Sequence, residues 1–247
     1  MKVIFHKDFC NVYATEPAAA PGRMEAVMQS LGNRFDMLEA MAAEAKDIEA
    51  VHFADHIDYV RGERLYHIAA LAAGGAVQAA DIGLREPAFA LIRPPGHHAS
   101  ADDSWGFCYF NNMAIALTRL LTHGRIKSAA VLDFDLHYGD GTVNILSRNK
   151  AVRIYNPEDS DRQAYLKGVG SFLEGLAVDI IGISAGFDNH VEDWGRLLTT
   201  EDYFVMGQMV REAALKTGSG CFGILEGGYN HDVLGRNVVA LLEGMSE

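Results

Sequence analysis

The sequence predicts a doubly wound α/β fold built on a mostly parallel sheet. Short apolar runs bounded by turn residues alternate with longer segments of helical spacing. Because these runs lack the polar alternation of a half-exposed strand, we expect helices on both faces of the sheet. The chain has 247 residues, which is enough for one such domain, and no linker-like segment divides it. We therefore predict a single domain over residues 1–247.

The predicted elements follow in chain order. Strands are expected over residues 2–6, 88–93, 129–134, 152–155, 178–184 and 221–226. Helices are expected over residues 24–46, 63–83, 111–123, 200–217 and 232–244. Gly32 interrupts the first helix, Gly124 ends the third and Thr200 caps the fourth. The stretch PAAAPG at 17–22 is typical of a loop.

Composition narrows the function classes. The formal net charge is -12 and the pI is about 5.2, which argues against a nucleic-acid partner and is compatible with a cationic substrate. The three cysteines form no CxxC pair, so neither a disulfide framework nor a zinc finger is predicted, and a cytoplasmic location is expected. No apolar run approaches a signal peptide or the roughly 18 residues of a membrane span, so no membrane partner is expected.

Four predicted strands run directly into chemically capable residues. The segments that follow them are PPGHH at 94–98, DLHYGD at 135–140, AGFD at 185–188 and GGYN at 227–230. Ligand sites of parallel sheets lie at the carboxyl ends of the strands. If these strands are neighbours, we expect the four segments to meet at one edge of the sheet.

A metal site is predicted beside the third strand. Asp133, Asp135 and His137 alternate, so an extended backbone directs all three to one side. Asp135 and His137 can supply two ligands to one ion, and Asp188 is the natural third. A catalytic zinc ion, Zn2+, takes such ligands and keeps one position open, and iron(II), Fe2+, suits the same set. The alternative is that Asp133 and Asp135 cap a helix that begins at residue 140.

The tandem histidines His97 and His98 suggest acid–base chemistry, because imidazole titrates near neutral pH. Asp133 and Asp140 are the carboxylates expected to orient the two rings. Tyr229 follows two glycines, which let the backbone approach a ligand, and its phenol could donate to a carbonyl oxygen that gains charge. The alternative is a turn with a packing tyrosine.

The remaining candidates are apolar. Gly106 and Phe107 could line an apolar entrance, or Phe107 could belong to the core. Cys108 and Cys221 lie in apolar contexts and are expected to be buried and inert, the alternative being a cysteine nucleophile paired with one of the histidines. Structural roles are assigned to Trp105, Asn111 and Trp194.

Five motifs together resemble the histone deacetylase family in its broad sense. They are RPPGHHA, GFCYFNN, VLDFDLHYGDGT, SAGFD and LEGGY, in the family's order and over nearly the whole chain. The family includes bacterial and archaeal deacetylase-like proteins, acetylpolyamine amidohydrolases and acetoin-utilization proteins. The resemblance implies a three-layer arginase/deacetylase-type fold with about eight strands. It also implies a zinc-dependent deacetylase that acts on an acylated primary amine, such as acetyl-lysine or an acetylpolyamine.

The resemblance also implies a role for each candidate residue. Asp135, His137 and Asp188 would be the metal ligands, His98 the general base and later the proton donor, and His97 an electrostatic partner. Asp133 would stand behind His97, Asp140 behind His98, and Tyr229 would polarise the amide carbonyl. Gly106 and Phe107 would hold the aliphatic arm of the substrate, and Arg23 would line the region through which acetate leaves.

The sequence departs from the family between VRIYNPED and SDRQAYLKGVG, where members carry a longer glycine-rich loop. That loop supplies the second wall of the substrate passage, including an aromatic residue opposite Phe107. We therefore expect a more open site, or one that a partner subunit completes in a homo-oligomer. The family's monovalent-cation (K+) site draws on Asp133 and on part of the shortened segment.

Two other functions stay open. A two-metal ureohydrolase would need a second DxD near the same strands, and the sequence has one DxDxH and one SAGFD. A catalytically idle binding or assembly module would keep the fold and would tolerate the trimmed loops. It would not need the full set of ligands, bases and tyrosine.

Overall fold

The computed structural model describes residues 1–247 and contains one seven-stranded sheet in which every strand pair is parallel. Its strands are β1 (Lys2–Phe5), β2 (Asp36–Glu39), β3 (Ala88–Ala90), β4 (Ala129–Asp133), β5 (Val152–Tyr155), β6 (Ile180–Ala185) and β7 (Gly220–Leu225). Their order across the sheet is β2-β1-β3-β7-β6-β4-β5. The predicted parallel α/β fold is confirmed, with seven strands instead of about eight.

Nine α-helices surround the sheet. They are α1 (Arg23–Leu31), α2 (Ala45–Glu49), α3 (Ala54–Gly62), α4 (Tyr66–Gly83), α5 (Asn112–Thr122), α6 (Asp140–Leu146), α7 (Arg162–Glu174), α8 (Thr200–Thr217) and α9 (His231–Ser246). Every residue of β3, β4 and β6 is buried. Since successive side chains of a strand point to opposite faces, both faces are covered. No helix is both long and apolar enough to cross a membrane.

The single helix predicted over residues 24–46 is wrong. The helix α1 ends at Gly32, whose φ is 55°, and the chain then forms β2 beside β1 before the short helix α2 begins. All four residues of β2 are exposed, so no apolar alternation marks it as a strand. Its conformation depends on backbone pairing with β1, which the local sequence does not reveal.

Three further helices, α3, α6 and α7, were not among the predicted elements, and a helix at residue 140 was considered only as the alternative to the metal site. The helix α3 has nine residues and only three of them are buried, so its apolar stripe is short. The helix α7 contains Gly168 and Gly170, and glycine weakens a helical pattern. The other predicted helices agree with the structure to within a few residues, except that α8 is capped by Thr199 instead of Thr200.

The four strands that precede the chemically capable segments are neighbours in the sheet, in the order β3-β7-β6-β4. Because all are parallel, their carboxyl ends lie at one edge. The registers place Asp133 beside Ser184, and Ala185 beside Leu225, at the last paired positions of these strands. The predicted convergence of the four segments is confirmed.

The start of α8 is held by a buried carboxylate. Asp202 accepts hydrogen bonds from the backbone N–H of Thr199 and from two nitrogens of Arg162, at 2.6–2.7 Å. Burial by itself raises the pKa of Asp202, but the hydrogen bonds from Arg162 and Thr199 outweigh it and lower the pKa below 3.8. The ionised carboxylate is therefore favoured in the folded state, and it fixes α7 to α8.

We expect Asp202→Asn to lower the free energy of unfolding by about 2 kcal/mol at pH 7, because it weakens the charge-assisted hydrogen bonds from Arg162 and Thr199. Because the folded pKa is depressed, this difference is fully present above pH about 4 and shrinks as the pH falls further. Urea unfolding at pH 7 and pH 3 measures it, with Glu201→Gln, an exposed neighbour in the same turn, as the control. A difference that is equal at the two pH values would contradict the interpretation.

Candidate metal centre and active site

Three potential ligands meet at the carboxyl ends of β4 and β6. One potential ligand atom from each of Asp135, His137 and Asp188 lies within 4.8 Å of the others. The Nδ1 atom of His137 is 3.1 Å from Oδ1 of Asp135 and 3.0 Å from Oδ2 of Asp188. Both carboxylates are buried, while the His137 side chain is 36% exposed. The site is therefore reached from the solvent past the imidazole.

The surroundings of Asp188 fit a metal ion. Its Oδ1 atom accepts a hydrogen bond from the backbone N–H of Leu136, whereas its buried Oδ2 atom has the Nδ1 atom of His137 3.0 Å away but accepts no well-aligned hydrogen bond. A buried carboxylate oxygen without a hydrogen bond is costly unless a cation satisfies it. Gly227 leaves the necessary room, since a Cβ atom there would lie 2.6 Å from Asp135 Oδ2 and 2.8 Å from Asp188 Oδ2. The donor set of two carboxylates and one imidazole suits a divalent ion.

The charges of this cluster are strongly coupled. The hydrogen bond to Asp135 and the adjacent carboxylate of Asp188 raise the pKa of His137 to about 10. Burial and the neighbouring charge of Asp135 raise the pKa of Asp188 to about 6. Without a metal ion, the cluster thus holds a proton between two carboxylates at neutral pH. A metal cation bound there would displace that proton, as expected when ligands compete for protons.

His98 lies beside this cluster with its own carboxylate. Its Nδ1 atom is 2.7 Å from Oδ1 of Asp140, and its ring centroid is 5.9 Å from that of His137. Burial and the neighbouring His97 lower the pKa of His98 to about 4, although Asp140 acts in the opposite direction. The ring is therefore neutral at neutral pH, with Nδ1 directed at a carboxylate and Nε2 available to accept a proton.

His97 is buried more deeply and has a different charge. Its Nδ1 atom is 3.2 Å from Oδ2 of Asp133, and its Nε2 atom is 3.8 Å from Oδ1 of Asp135. Burial by itself lowers the pKa of His97, but the charges of Asp135 and Asp133 outweigh it and raise the pKa well above its usual value. The charges of Asp135 and Asp133 therefore favour the protonated form of His97, next to a neutral His98.

Glu226, which the sequence analysis did not single out, holds the turn that carries both histidines. Its buried Oε2 atom accepts hydrogen bonds from the backbone N–H groups of Gly96 and His97, at 2.7 and 3.3 Å. Burial raises the pKa of this carboxyl to about 7. The sequence does show one sign of this role, since Glu226 is a charged residue directly after the apolar run CFGIL.

Tyr229 follows β7, in a turn that Gly228 makes with a φ of 114°. Its backbone N–H and that of Asn230 both donate to Oδ2 of Asp193 at 2.8 Å. Burial and the charges of Asp135 and Asp188 raise the pKa of Tyr229 well above its usual range. The phenol therefore keeps its proton and can act as a donor.

Gly106 and Phe107 form a left-handed turn next to His98. Their φ angles are 59° and 69°, and a Cβ atom on residue 106 would lie 2.4 Å from Cδ2 of His98. A left-handed phenylalanine is strained, and such strain is found where surrounding structure over-determines the backbone. The turn places the Phe107 ring 5.9 Å from that of Tyr229, edge to face.

Arg23 lies fully buried behind the Tyr229 turn. Its Nε and Nη2 atoms donate to the carbonyl oxygens of Gly228 and Glu226, at 2.8 and 2.7 Å. Its guanidinium carbon is 5.6 Å from the centroid of the Tyr229 ring. The structure thus brings Arg23 to the same site as the other predicted residues, where it fastens the turn that carries the phenol.

Both tryptophans of the chain, to which the sequence analysis assigned structural roles, lie at this site. The Trp105 ring stacks on His98 with centroids 3.7 Å apart and donates its Nε1–H to Asp140 at 2.9 Å. The Trp194 ring stacks on Tyr229 with centroids 4.1 Å apart. Their positions in the sequence could have indicated a place at the site, since Trp105 directly precedes Gly106 and Trp194 follows Asp188 closely.

The local alternatives to a metal centre do not agree with the geometry. No side chain caps α6, and the hydrogen bonds of Asp133 and Asp135 go to other groups. Burial raises the pKa of the Cys108 thiol well above its usual value, which argues against a nucleophilic thiolate.

A second cluster, His97, Cys108 and Glu226, also has potential ligand atoms within 4.8 Å of one another. The Nδ1 atom of His97 faces Asp133, and the Oε2 atom of Glu226 accepts backbone hydrogen bonds, but the buried Oε1 atom of Glu226 accepts none. Burial raises the pKa of the Cys108 thiol and raises that of the Glu226 carboxyl to about 7. Because both shifts favour the neutral forms, this cluster offers a second divalent ion less negative charge than Asp135 and Asp188 offer the first.

The shortened segment consists of residues 156–161 between β5 and α7. Asn156 attaches it to the ligand loop by accepting a hydrogen bond from the backbone N–H of Gly139 at 2.9 Å. Leu136 and Tyr138, which alternate with the potential ligands, are 37% and 48% exposed. The site is therefore open on this side.

Comparisons with known proteins agree with these observations. The family model for the histone deacetylase domain matches residues 18–165 and 156–245, two pieces that meet at the shortened segment. A probable deacetylase of Methanothermobacter thermautotrophicus is 32% identical, over 91% of this chain and 84% of that protein. The alignment runs over 285 residues, more than the 247 of this chain, so segments of the relative are missing here.

Two further similarities support the same assignment. A histone deacetylase-like amidohydrolase of Pseudomonas aeruginosa is 28% identical, over 94% of this chain and 79% of that protein. The crystal structure of the HDA15 HD domain superposes with a TM-score of 0.82 and 24% identity, covering 98% of this chain and 88% of that one. That structure supports the fold. Because the family model matches almost the whole chain, and an archaeal relative is 32% identical over most of it, this chain belongs to the histone deacetylase family.

Proposed function

We propose that this chain is a metal-dependent amidohydrolase that removes an acetyl or other acyl group from an acylated primary amine, such as acetyl-lysine or an acetylpolyamine. The observation that carries the proposal is the unsatisfied Oδ2 atom of Asp188 in a cluster of three potential ligands, with His98 next to it. The names of the two relatives, a probable deacetylase and an amidohydrolase, support the same class of reaction.

Asp135, His137 and Asp188 would hold one divalent cation, for which zinc is proposed and iron(II) is the alternative. When bound, the cation supplies Lewis acidity, which draws charge from the substrate carbonyl and makes a nearby water molecule more acidic. A potassium ion near Asp133 and a homo-oligomer stay predictions, as does a cytoplasmic location.

His98 would act as the general base. Its Nδ1–H is held by Asp140, so Nε2 accepts the proton of the attacking water and later returns it to the departing amine. The low pKa of His98 keeps this nitrogen free at neutral pH. His97, held by Asp133, would remain protonated and add positive charge next to the reacting carbonyl.

Tyr229 would donate a hydrogen bond to the carbonyl oxygen as it gains charge, since its phenol stays protonated. Gly106 and Phe107 would contact the aliphatic arm of the substrate. Arg23 would hold the Tyr229 turn from behind through two backbone carbonyl groups. Its proposed place near departing acetate follows from the family resemblance alone.

The test is a panel of N-acyl amines with different acyl lengths, assayed on protein whose metal content is measured in the same sample. We expect one metal ion per chain and hydrolysis of at least one acylated primary amine, which chelation abolishes and added zinc restores. Metal-loaded protein that is inactive on acetyl-lysine peptides, acetylpolyamines and the other amides would contradict the proposal and favour a binding module.

A further inference from the structure

Six aromatic and imidazole side chains, one of them the potential ligand His137, form a continuous series of ring contacts at the proposed metal centre. Its successive ring-centroid distances are Trp105–His98 3.7 Å, His98–His137 5.9 Å, His137–Trp194 6.0 Å, Trp194–Tyr229 4.1 Å and Tyr229–Phe107 5.9 Å. The backbone of residues 105–107 joins the two ends. We call these six residues the aromatic collar.

Within the collar, the two indoles differ from the other members in their exposure. Trp105 is 54% exposed and Trp194 is 50% exposed, although each has one face stacked on a neighbouring ring. About half of each tryptophan therefore remains in contact with solvent. Leaving this much indole surface in water costs hydrophobic free energy, which a bound ligand would recover.

Trp194 can take the place of the aromatic residue that the longer family loop supplies opposite Phe107. Because its indole covers one face of Tyr229 at 4.1 Å, Phe107 must approach that phenol from another side. Tyr229 thus has two aromatic neighbours, Phe107 and Trp194, and neither belongs to the 156–161 segment. Trp105 adds a third ring on the side of His98.

The charge is negative around Trp105 and balanced around Trp194. Trp105 follows Asp102 and Asp103, both exposed, and its own N–H donates to the carboxylate of Asp140. Trp194 follows Glu192 and the buried Asp193, and two arginines offset these charges: Arg236 pairs with Glu192, and Arg196 lies two residues beyond Trp194. Indole faces in a negative field attract a cation better than they attract a neutral group.

We propose that Trp105 and Trp194 are substrate-binding walls that recognise a positively charged group on the amine side of the substrate, a few methylene groups from the amide. This inference rests on the proposed amidohydrolase function. The substrates that it favours are acylated diamines and other linear amines with a second ammonium group. The cation would lie against the exposed part of the indoles while the amide reaches the metal centre.

A matched pair of amides tests this inference. N-acetyl-1,5-diaminopentane and N-acetylpentylamine have the same chain and differ in the terminal ammonium group. We expect kcat/KM to favour the charged amide by about 2-fold to 30-fold for each indole that it contacts. The preference should come from a lower KM for the charged amide, with kcat little changed. In Trp105→Leu and Trp194→Leu this preference should fall toward one, whereas Trp105→Phe and Trp194→Phe should keep most of it.

The ratio between the two amides separates recognition from positioning. Each leucine variant also removes the ring that stacks on His98 or Tyr229, and it should therefore lower kcat on both amides. The ratio cancels this common loss. Tyr59→Leu, which removes a half-exposed aromatic ring on α3, is the control and should leave the ratio unchanged. A preference of one in the wild type, or one that both leucine variants retain, would overturn the inference.

Intrinsic fluorescence provides a readout that does not need turnover. Since the chain has only two tryptophans and both belong to the collar, their emission reports directly on ligands at the collar. With zinc-loaded protein we expect pentylammonium to change the emission in a saturable way and 1-pentanol to change it much less. If neither amide is hydrolysed but pentylammonium binds selectively, the proposed function fails and the cation site stands. If pentylammonium gives no response, the inference is wrong.

Discussion

Asp188→Asn is expected to abolish metal binding and to reduce kcat/KM by about 1000-fold or more, because a Lewis acid contributes several kcal/mol to such reactions. The change removes one of two carboxylate charges and places an amide where the unsatisfied Oδ2 atom now lies. Metal content after dialysis, measured beside activity, tests it. We expect one ion per wild-type chain and close to none in the variant.

The control for this variant is Asp159→Asn, an exposed carboxylate in the short segment between β5 and α7. It makes the same chemical change near the site without touching the cluster, and it should leave metal content and activity unchanged. An Asp188→Asn protein that keeps its metal ion and its activity would show that the cluster is not the metal centre. Two ions in each wild-type chain would instead favour the ureohydrolase.

Tyr229→Phe is expected to lower kcat by about 100-fold to 1000-fold, the usual cost of removing one donor to a developing oxyanion. The phenyl ring can keep its stacking on Trp194 and its contact with Phe107, so KM and metal content should change little. Because the pKa of Tyr229 lies well above its usual range, we expect no loss of wild-type activity from this group on the alkaline side.

The control for Tyr229 is Tyr138→Phe. Tyr138 is 48% exposed and lies between the potential ligand His137 and Asp140, so the substitution removes a phenol close to the site but outside the collar. We expect wild-type kcat for this variant. Activity of Tyr229→Phe within a few-fold of wild type would mean that the phenol does not polarise the carbonyl, and the assignment of its role would be withdrawn.

Much of the fold could be predicted because its strong signals are local. Fully buried strands such as β4 and β6 are mostly apolar runs with a polar residue near the carboxyl end, and α8 begins at a capping sequence. The edge strand β2 could not be predicted, because its four residues are exposed and acquire their conformation from β1. The segment 156–161 is a second example. The sequence shows that it is shorter than the family loop, but only the structure shows that the site is open on this side.

The sequence by itself determined the chemistry that this protein can hold. The alternation of Asp133, Asp135 and His137, the tandem histidines and the glycines before Tyr229 are local patterns, and strand-end logic predicted that they meet. Only the tertiary structure decided how they are charged and what surrounds them. The low pKa of His98, the high pKa of His97 and the stacking of both tryptophans depend on burial and on partners distant in sequence. Such effects arise from packing in three dimensions, which residue spacing does not encode.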